Sequence, residues 1–329
     1  MDIKIRSERI SDYSSVANVN YEAFLGWHPD NQYVSEPVLV DLLRHNSLLD
    51  PELSLVAEVD GKVIGHVLFS PFRFIVLGRE QMGVILAPAA VKPEFQNKGV
   101  GSRLIEEGHR RAKEKGFAFS LLCGHEGYYP RFGYKTAMFS ETGANVNICR
   151  EDFDHEGFHD RPVKEEDIKW IPELWKSQHA TDAIALMPGE NISEWSNQGM
   201  HCRCSVVSKN NRVLGYVRYA SLKRLNIKEL VAKNEDIPDI LAYLVWKSYG
   251  KAQGEISILL PAEKINAMLV NSGNYRITDG RIAHKAFMMK VLQHAGPVED
   301  YCEKVEQGLI KPGIVAFPAM FDIDDGREE

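Results

Sequence analysis

The sequence predicts an α/β (α+β) fold built twice over. Strand-like and helix-like apolar patterns alternate through the first half. The second half repeats that frame in a faded form. The 329 residues also exceed what one typical core holds.

Taken in order, Ile3 to Glu8 reads as a strand, and Ser11 to Phe24 as a helix with Ser11 at its N-cap. Glu36 to His45 has the pattern of a second helix. Leu53 to Glu58, the turn Asp60-Gly61 and Lys62 to Phe69 form a hairpin signal, since Asp-Gly supplies the positive-φ positions of a tight turn. Gly83 to Val91 is a continuous apolar run, suited to a strand buried on both faces. The next helix puts Val100, Leu104, Ile105 and Ala112 on one stripe and stops at Gly116. Phe117 to Cys123 is a strand, and His125 to Phe132 a short helix or turn before Tyr134. Residues 150–166, REDFDHEGFHDRPVKEE, are polar and without period. They set the expected boundary between a domain at 1–150 and another at 166–329.

"GKVIGHVLF" (61–69) returns as "NRVLGYVRY" (211–219), with Gly65 on Gly215. "VKPEFQNKGVGSRLI" (91–105) lies on "VAKNEDIPDILAYLV" (231–245), and the same offset puts Gly133 on Gly273. The copy fails at particular places. Asp236 replaces Gln96, Asp239 replaces Gly99, Leu241 replaces Gly101 and Leu269 replaces Tyr129. One working site, in the first half, is the expectation.

A net charge of −7 and no Lys/Arg-rich run argue against nucleic acid, and a mildly acidic surface tolerates cationic amines. The start lacks a secretory layout, and no apolar stretch approaches the roughly 18 residues of a membrane span. Five cysteines in this length do not make a disulfide framework, so thiols in a cytoplasmic protein are expected. Association with further copies of itself is the remaining partner expectation.

Gly99 and Gly101 stand where a helix is about to start, although glycine costs about 1 kcal/mol relative to alanine within one. A helix start offers unpaired N–H groups and partial positive charge, which together suit an anion. Gln96, Asn97, Lys98, Gly99, Val100 and Gly101 therefore read as a cradle for a diphosphate, with Lys98 adding charge and Ser102 a hydroxyl. A tight strand-to-helix turn without ligand fits the same glycines. A nucleotide P-loop does not, because no Lys-Ser/Thr pair follows.

Gln96-x-x-Gly99-x-Gly101, after a strand ending in Val91-x-Pro93, resembles the acetyl-CoA loop of the GNAT superfamily of N-acetyltransferases. "YYPRFGY" (128–134) is similar to that family's Tyr four residues before a Gly-aromatic pair, here Tyr129. The resemblance covers about residues 1 to 140, with the second half a degenerate copy, as in tandem chains related to the enhanced intracellular survival proteins. The chain is expected to be too short for their third domain. The resemblance implies two mixed, mostly antiparallel sheets flanked by helices, with splayed central strands. The pantetheine arm would lie between Gly83–Val91 and Phe117–Cys123, oriented by main chain near Ala90 and Val91. Tyr129 would be the acid for the departing thiolate, with Tyr128 as its stand-in. No carboxylate lies on Gly83–Val91 to act as base. That leaves His66 and His125, directly or through water, each of which also fits an ordinary pocket or surface histidine. In those relatives the chain terminus performs this task, so the tail FDIDDGREE (321–329) is a further candidate. The implied activity is acetyl transfer from acetyl-CoA to a primary amine, small molecule or peptide, in a ternary complex. The alternatives are an acyl-CoA sensor and a transferase of another acyl group.

Other constellations are weaker. Cys123 beside the cleft fits either a ping-pong nucleophile or a small buried apolar residue. His201-Cys202-x-Cys204 and His155-x-x-x-His159 lack a second pair at zinc spacing, so no metal is expected. Trp170 and Trp175 read as core. Trp27 and His28 sit on the loop that walls the acceptor site in GNAT-like domains, or on a solvated turn.

Overall fold

A computed structural model describes residues 1–27, 33–197, 199, 201–221, 224–269 and 274–324. They form two compact units, residues 1–138 with 285–310, and residues 139–284 with 311–329. The boundary expected at 150–166 instead falls inside the second unit. Ala144–Cys149 and Phe158–Pro162, on either side of that stretch, are strands of one sheet. Phe158–Pro162 is an edge strand, which accounts for its polar, aperiodic sequence.

In the first unit the sheet runs β1 (Lys4–Ser7), β2 (Ser54–Val59), β3 (Lys62–Val76), β4 (Arg79–Val91), β5 (Phe119–Cys123), then the strand Phe287–Val291. Its pairings are antiparallel except β4 with β5. The β3–β4 hairpin is longer than the expected Lys62–Phe69 and Gly83–Val91, because a second tight turn at Leu77-Gly78 (φ 47° and 73°) joins them directly. The first turn, Asp60-Gly61, has φ of 49° and 76° as its sequence demands.

Helix α1 (Tyr13–Phe24) is not capped by Ser11. A 3-10 turn, Ile10–Asp12, precedes it, and the Asp12 carboxylate accepts from the Arg9 N–H (2.8 Å) and the Arg6 guanidinium (2.6 Å). Helix α2 is Glu36–Leu43 and α3 is Val100–Glu114. Val100, Leu104, Ile105 and Ala112 of α3 pack with Leu55, Val67, Phe69 and Val84 in one core cluster. Val16 and Val19 of α1 and Val40 of α2 pack with Val56, Val63 and Ala90 in another. Helices thus cover both faces of the sheet, which explains why β4 reads as a near-continuous apolar run.

Strands β4 and β5 pair only where Gly83–Ile85 faces Phe119–Leu121. Beyond that point β4 continues to Val91 without a β5 partner, and a gap opens between them.

The second unit repeats the arrangement, in the strand order Asn274–Asp279, Ala144–Cys149, Gln253–Ile258, Leu225–Ala232, Arg212–Ser221, Cys202–Lys209, Phe158–Pro162. Gly215 opposes Ala232 as Gly65 opposes Val91, and helix Ile237–Tyr249 follows as α3 does. Its parallel pair is equally short, Leu225–Ile227 with Ile256–Ile258. Gly273 lies outside the described residues. Among the described residues no helix is long and apolar enough to cross a membrane.

Candidate active site

The two glycines of the β4–α3 turn answer to different constraints. Gly99 is the N-cap of α3 at φ +79°, a left-handed backbone, and nothing lies within 4 Å of where its Cβ would stand. Gly101 has ordinary backbone, but a Cβ there would stand 2.7 Å from the Tyr128 hydroxyl. No side chain caps α3, so the first N–H groups of the helix have no partner within it.

These groups border a cavity of about 500 Å3 formed within the first unit. Gln96, Asn97, Gly99, Val100, Gly101 and Ser102 line one end, and Ala89, Ala90 and Val91 line its side. Lys98 is not among them, because its ammonium is turned back onto the Glu94 carbonyl (2.7 Å). The Gln96 amide donates to the Val91 carbonyl (3.0 Å), tying the turn to the strand.

Alternation along β4 decides which main chain meets the gap. The Lys92 N–H bonds the Ile64 carbonyl of β3 (3.0 Å), so Lys92 and, two residues back, Ala90 turn their peptide groups toward β3. Val91 and Ala89 turn theirs into the gap. The expectation for Ala90 is corrected accordingly, since its contribution is wall rather than hydrogen bond. The period of two groups Ala89 with Val91, but only the register fixes that this pair faces the gap.

Tyr129 also lines the cavity, in a 3-10 turn, Tyr129–Phe132, with its ring edge-on to Tyr128 (5.1 Å between centroids). Burial first, then Tyr128 and Cys123, raises its phenol well above the ordinary value. Gly124 makes room for it, as a Cβ there would meet the Tyr129 ring at 2.4 Å. Behind it Tyr134 is fixed by Ser120 Oγ (2.6 Å) and His109 Nε2 (2.9 Å).

His66 is fully buried, with Nδ1 3.2 Å from Asn20 Nδ2 and Nε2 3.2 Å from Ser54 Oγ. Burial, reinforced by Arg44, depresses its pKa to about 3. His66 borders the cavity, but with no exposed surface and both ring nitrogens engaged it does not meet the expectation of a base. His125 is exposed at the cavity rim, its ring 4.5 Å from that of Trp27. Trp27 and Phe24 close that end, and His28 lies outside the described residues.

Arg131 was not singled out, although it stands inside YYPRFGY. It donates to Ser102 Oγ (3.0 Å) and lies over the rings of Tyr128 (4.1 Å) and Phe132 (4.8 Å).

Cys123 is exposed at the end of β5, not buried as a small apolar residue. Cys202 and Cys204 share the buried face of their strand, while His201 is exposed. His155 stacks on Trp246 (3.9 Å). Trp175 is core, stacked on His179 (4.3 Å). Of the acidic tail, Asp322 is held by Arg218 (2.7 Å) and Lys228 (3.0 Å) of its own unit, and 325–329 lie outside the described residues.

In the second unit the corresponding helix start is occupied by its own carboxylates. Asp236 pairs with Arg212 (2.6 Å) and Asp239 with Arg150 (2.8 Å). The strand edge facing the gap is filled too. The Gln178 amide donates to the Leu230 carbonyl (2.7 Å) and accepts from the Ala232 N–H (3.4 Å). By strand register, in which Gly215 faces Ala232 as Gly65 faces Val91, Leu230 and Ala232 are the counterparts of Ala89 and Val91, one residue on from the overlay the sequence suggests.

A parallel pair that parts beside a glycine-bearing helix start is the framework of an acetyltransferase domain. Residues 4–137 match the family model of the acetyltransferase (GNAT) domain, so the first unit carries an N-acetyltransferase domain of the GNAT family. The chain is 37% identical over 125 residues to the N-acetyltransferase YjhQ of Escherichia coli K12, covering 38% of this chain and 65% of that protein, less than two thirds of its length. A GNAT family acetyltransferase from Brucella melitensis, solved in complex with acetyl-CoA, is 38% identical over 41% of this chain and 83% of its own, with a TM-score of 0.36. Eis1 of Mycobacterium abscessus, 15% identical, shares the fold over 88% of this chain and 74% of its own at a TM-score of 0.59.

Proposed function

We propose that the chain is an acetyl-CoA-dependent N-acetyltransferase that passes an acetyl group directly to a primary amine, with its one donor site in the first unit. The observation that carries this reading is a single cavity bordered by the α3 N-terminus, the free edge of β4 and Tyr129. Amides of the glycine turn receive the diphosphate. The main chain of Ala89 and Val91 receives the pantetheine arm, whose own amides complete the strand edge. Holding donor and amine together in that cavity lowers the barrier by several kcal/mol.

The amine attacks the thioester carbonyl as its neutral form, and the departing thiolate takes a proton. Tyr129 supplies it. Its raised pKa keeps the hydroxyl protonated at any physiological pH. His125, at the rim, accepts the proton lost by the amine, directly or through water.

The test is acetyl-CoA turnover by the full chain with a broad panel of primary amines, and CoA binding measured by calorimetry. Amine-dependent release of CoA is the expected result. Tight CoA binding with no amine consumed would favour a sensor, and absence of binding would overturn the reading. Longer acyl-CoA thioesters in the same assay establish the acyl preference, because the turn meets only the shared diphosphate.

A further inference from the structure

The rim of the cavity at His125 is made of rings. Phe24 of α1 and Trp27 of the 3-10 turn that follows it (Leu25–Trp27) lie 6.3 Å apart between centroids, and His125 lies 4.5 Å from Trp27. Both neighbours are tilted against the indole, by 56° and 55°, so neither lies flat on its face. Trp27 keeps 55% of its surface exposed although it belongs to the wall of a cavity. A large ring left half in water at a concave site gains by being covered, and a second flat ring covers it best. Charge points the same way. Among the described residues that line the cavity there is no carboxylate, and Arg131 is the one group of fixed charge. An acceptor with several ammonium groups would be desolvated there without an anionic partner. A single amine on an apolar body is instead driven toward its neutral form, the form that attacks. The cavity of about 500 Å3 also has to hold the pantetheine arm, which leaves room for a small acceptor.

We infer that the acceptor is a small primary amine carried on a planar aromatic group, and that Trp27 sets this specificity by packing on that group. This rests on the function proposed above and names the acceptor class of the same site. A ring seated against Trp27 brings its amine beside His125, the residue proposed to take the amine's proton.

The test compares kcat/KM for 2-phenylethylamine, hexylamine and spermidine at saturating acetyl-CoA, in the full chain, in Trp27→Ala and in Trp27→Phe. Hexylamine is apolar without a ring, and spermidine is a polycation. The unaltered chain is expected to prefer 2-phenylethylamine over each of the others by roughly 10-fold or more, mainly through KM. Trp27→Ala is expected to bring the preference over hexylamine close to one, while Trp27→Phe, which keeps a ring, retains most of it. CoA binding by calorimetry is expected to be the same in all three proteins, since the change lies at the rim. A preference for spermidine or hexylamine in the unaltered chain overturns the inference and leaves the proposed function standing. So does a loss in Trp27→Ala shared equally by all three amines, which marks a merely structural Trp27. Tight CoA binding with no primary amine consumed overturns both.

Discussion

Single residues divide the work of the proposed donor site. At Gly99 the backbone demands a left-handed residue while the space outside is empty. Gly99→Asp therefore places a carboxylate on the proposed anion cradle with only about 1 kcal/mol of backbone strain. Calorimetry is expected to show no CoA binding, and a thermal melt a shift of only a few degrees. Tyr129→Phe is expected to retain CoA binding and to lower kcat by roughly 100-fold or more, as loss of a general acid does. The place of those two residues at the cavity was legible because their motifs impose spacing. His66 was not, since neither the burial of its ring nor the engagement of both nitrogens by Asn20 and Ser54 leaves a mark in the sequence. Its depressed pKa has a consequence shared with His109, also lowered to about 3 by burial and Lys290. Unfolded, both titrate near the usual ~6.5, so the unfolded chain binds more protons between those values and stability falls as pH drops. By pH 5 each costs about 2 kcal/mol. Urea melts at pH 7 and pH 5 are expected to show the decline, and His66→Gln and His109→Gln to flatten it.

At the level of elements, α3 carries the site and its seating is unusually close. A Cβ on Gly108 would stand 2.0 Å from the ring of Phe69, which is itself fully buried in β3. Gly108→Ala gains helix propensity of about 1 kcal/mol but overpacks the interface by roughly 1–3 kcal/mol. A lower thermal midpoint and weaker CoA binding are expected, since lifting α3 also moves its N-terminus. The amphipathic stripe of α3 and the Asp60-Gly61 turn were plain in the sequence, because each has one dominant local cause. The far half of the β3–β4 hairpin was obscure. Pro71 interrupts the strand pattern, and Leu77-Gly78 is a weaker turn signal than Asp-Gly. The free edge at Ala89 needed only the register, which the Lys92 bond to Ile64 supplies and composition does not.

Across the whole molecule, the route of the chain departs most from its sequence appearance. Residues 285–310 return to the first unit, where Phe287–Val291 pairs with β5. A fragment ending at residue 150 would leave that edge of β5 bare, so it is expected to be poorly soluble beside the full chain in a sedimentation assay. A return of this kind was illegible, because strand pairing over so long a separation leaves no local mark. The carboxylates that stand at the second unit's helix start, by contrast, were readable residue by residue. They predict one CoA per chain by calorimetric titration, and still one after Asp239→Gly, since Asp236 and Gln178 remain in place. Gln178 has a wider meaning. Its carboxamide offers a peptide-like donor and acceptor to a strand margin that would otherwise need a visiting molecule to satisfy it. A duplicated catalyst that acquires such a built-in plug is freed from its original reactant, and can drift toward a purely architectural career without unravelling.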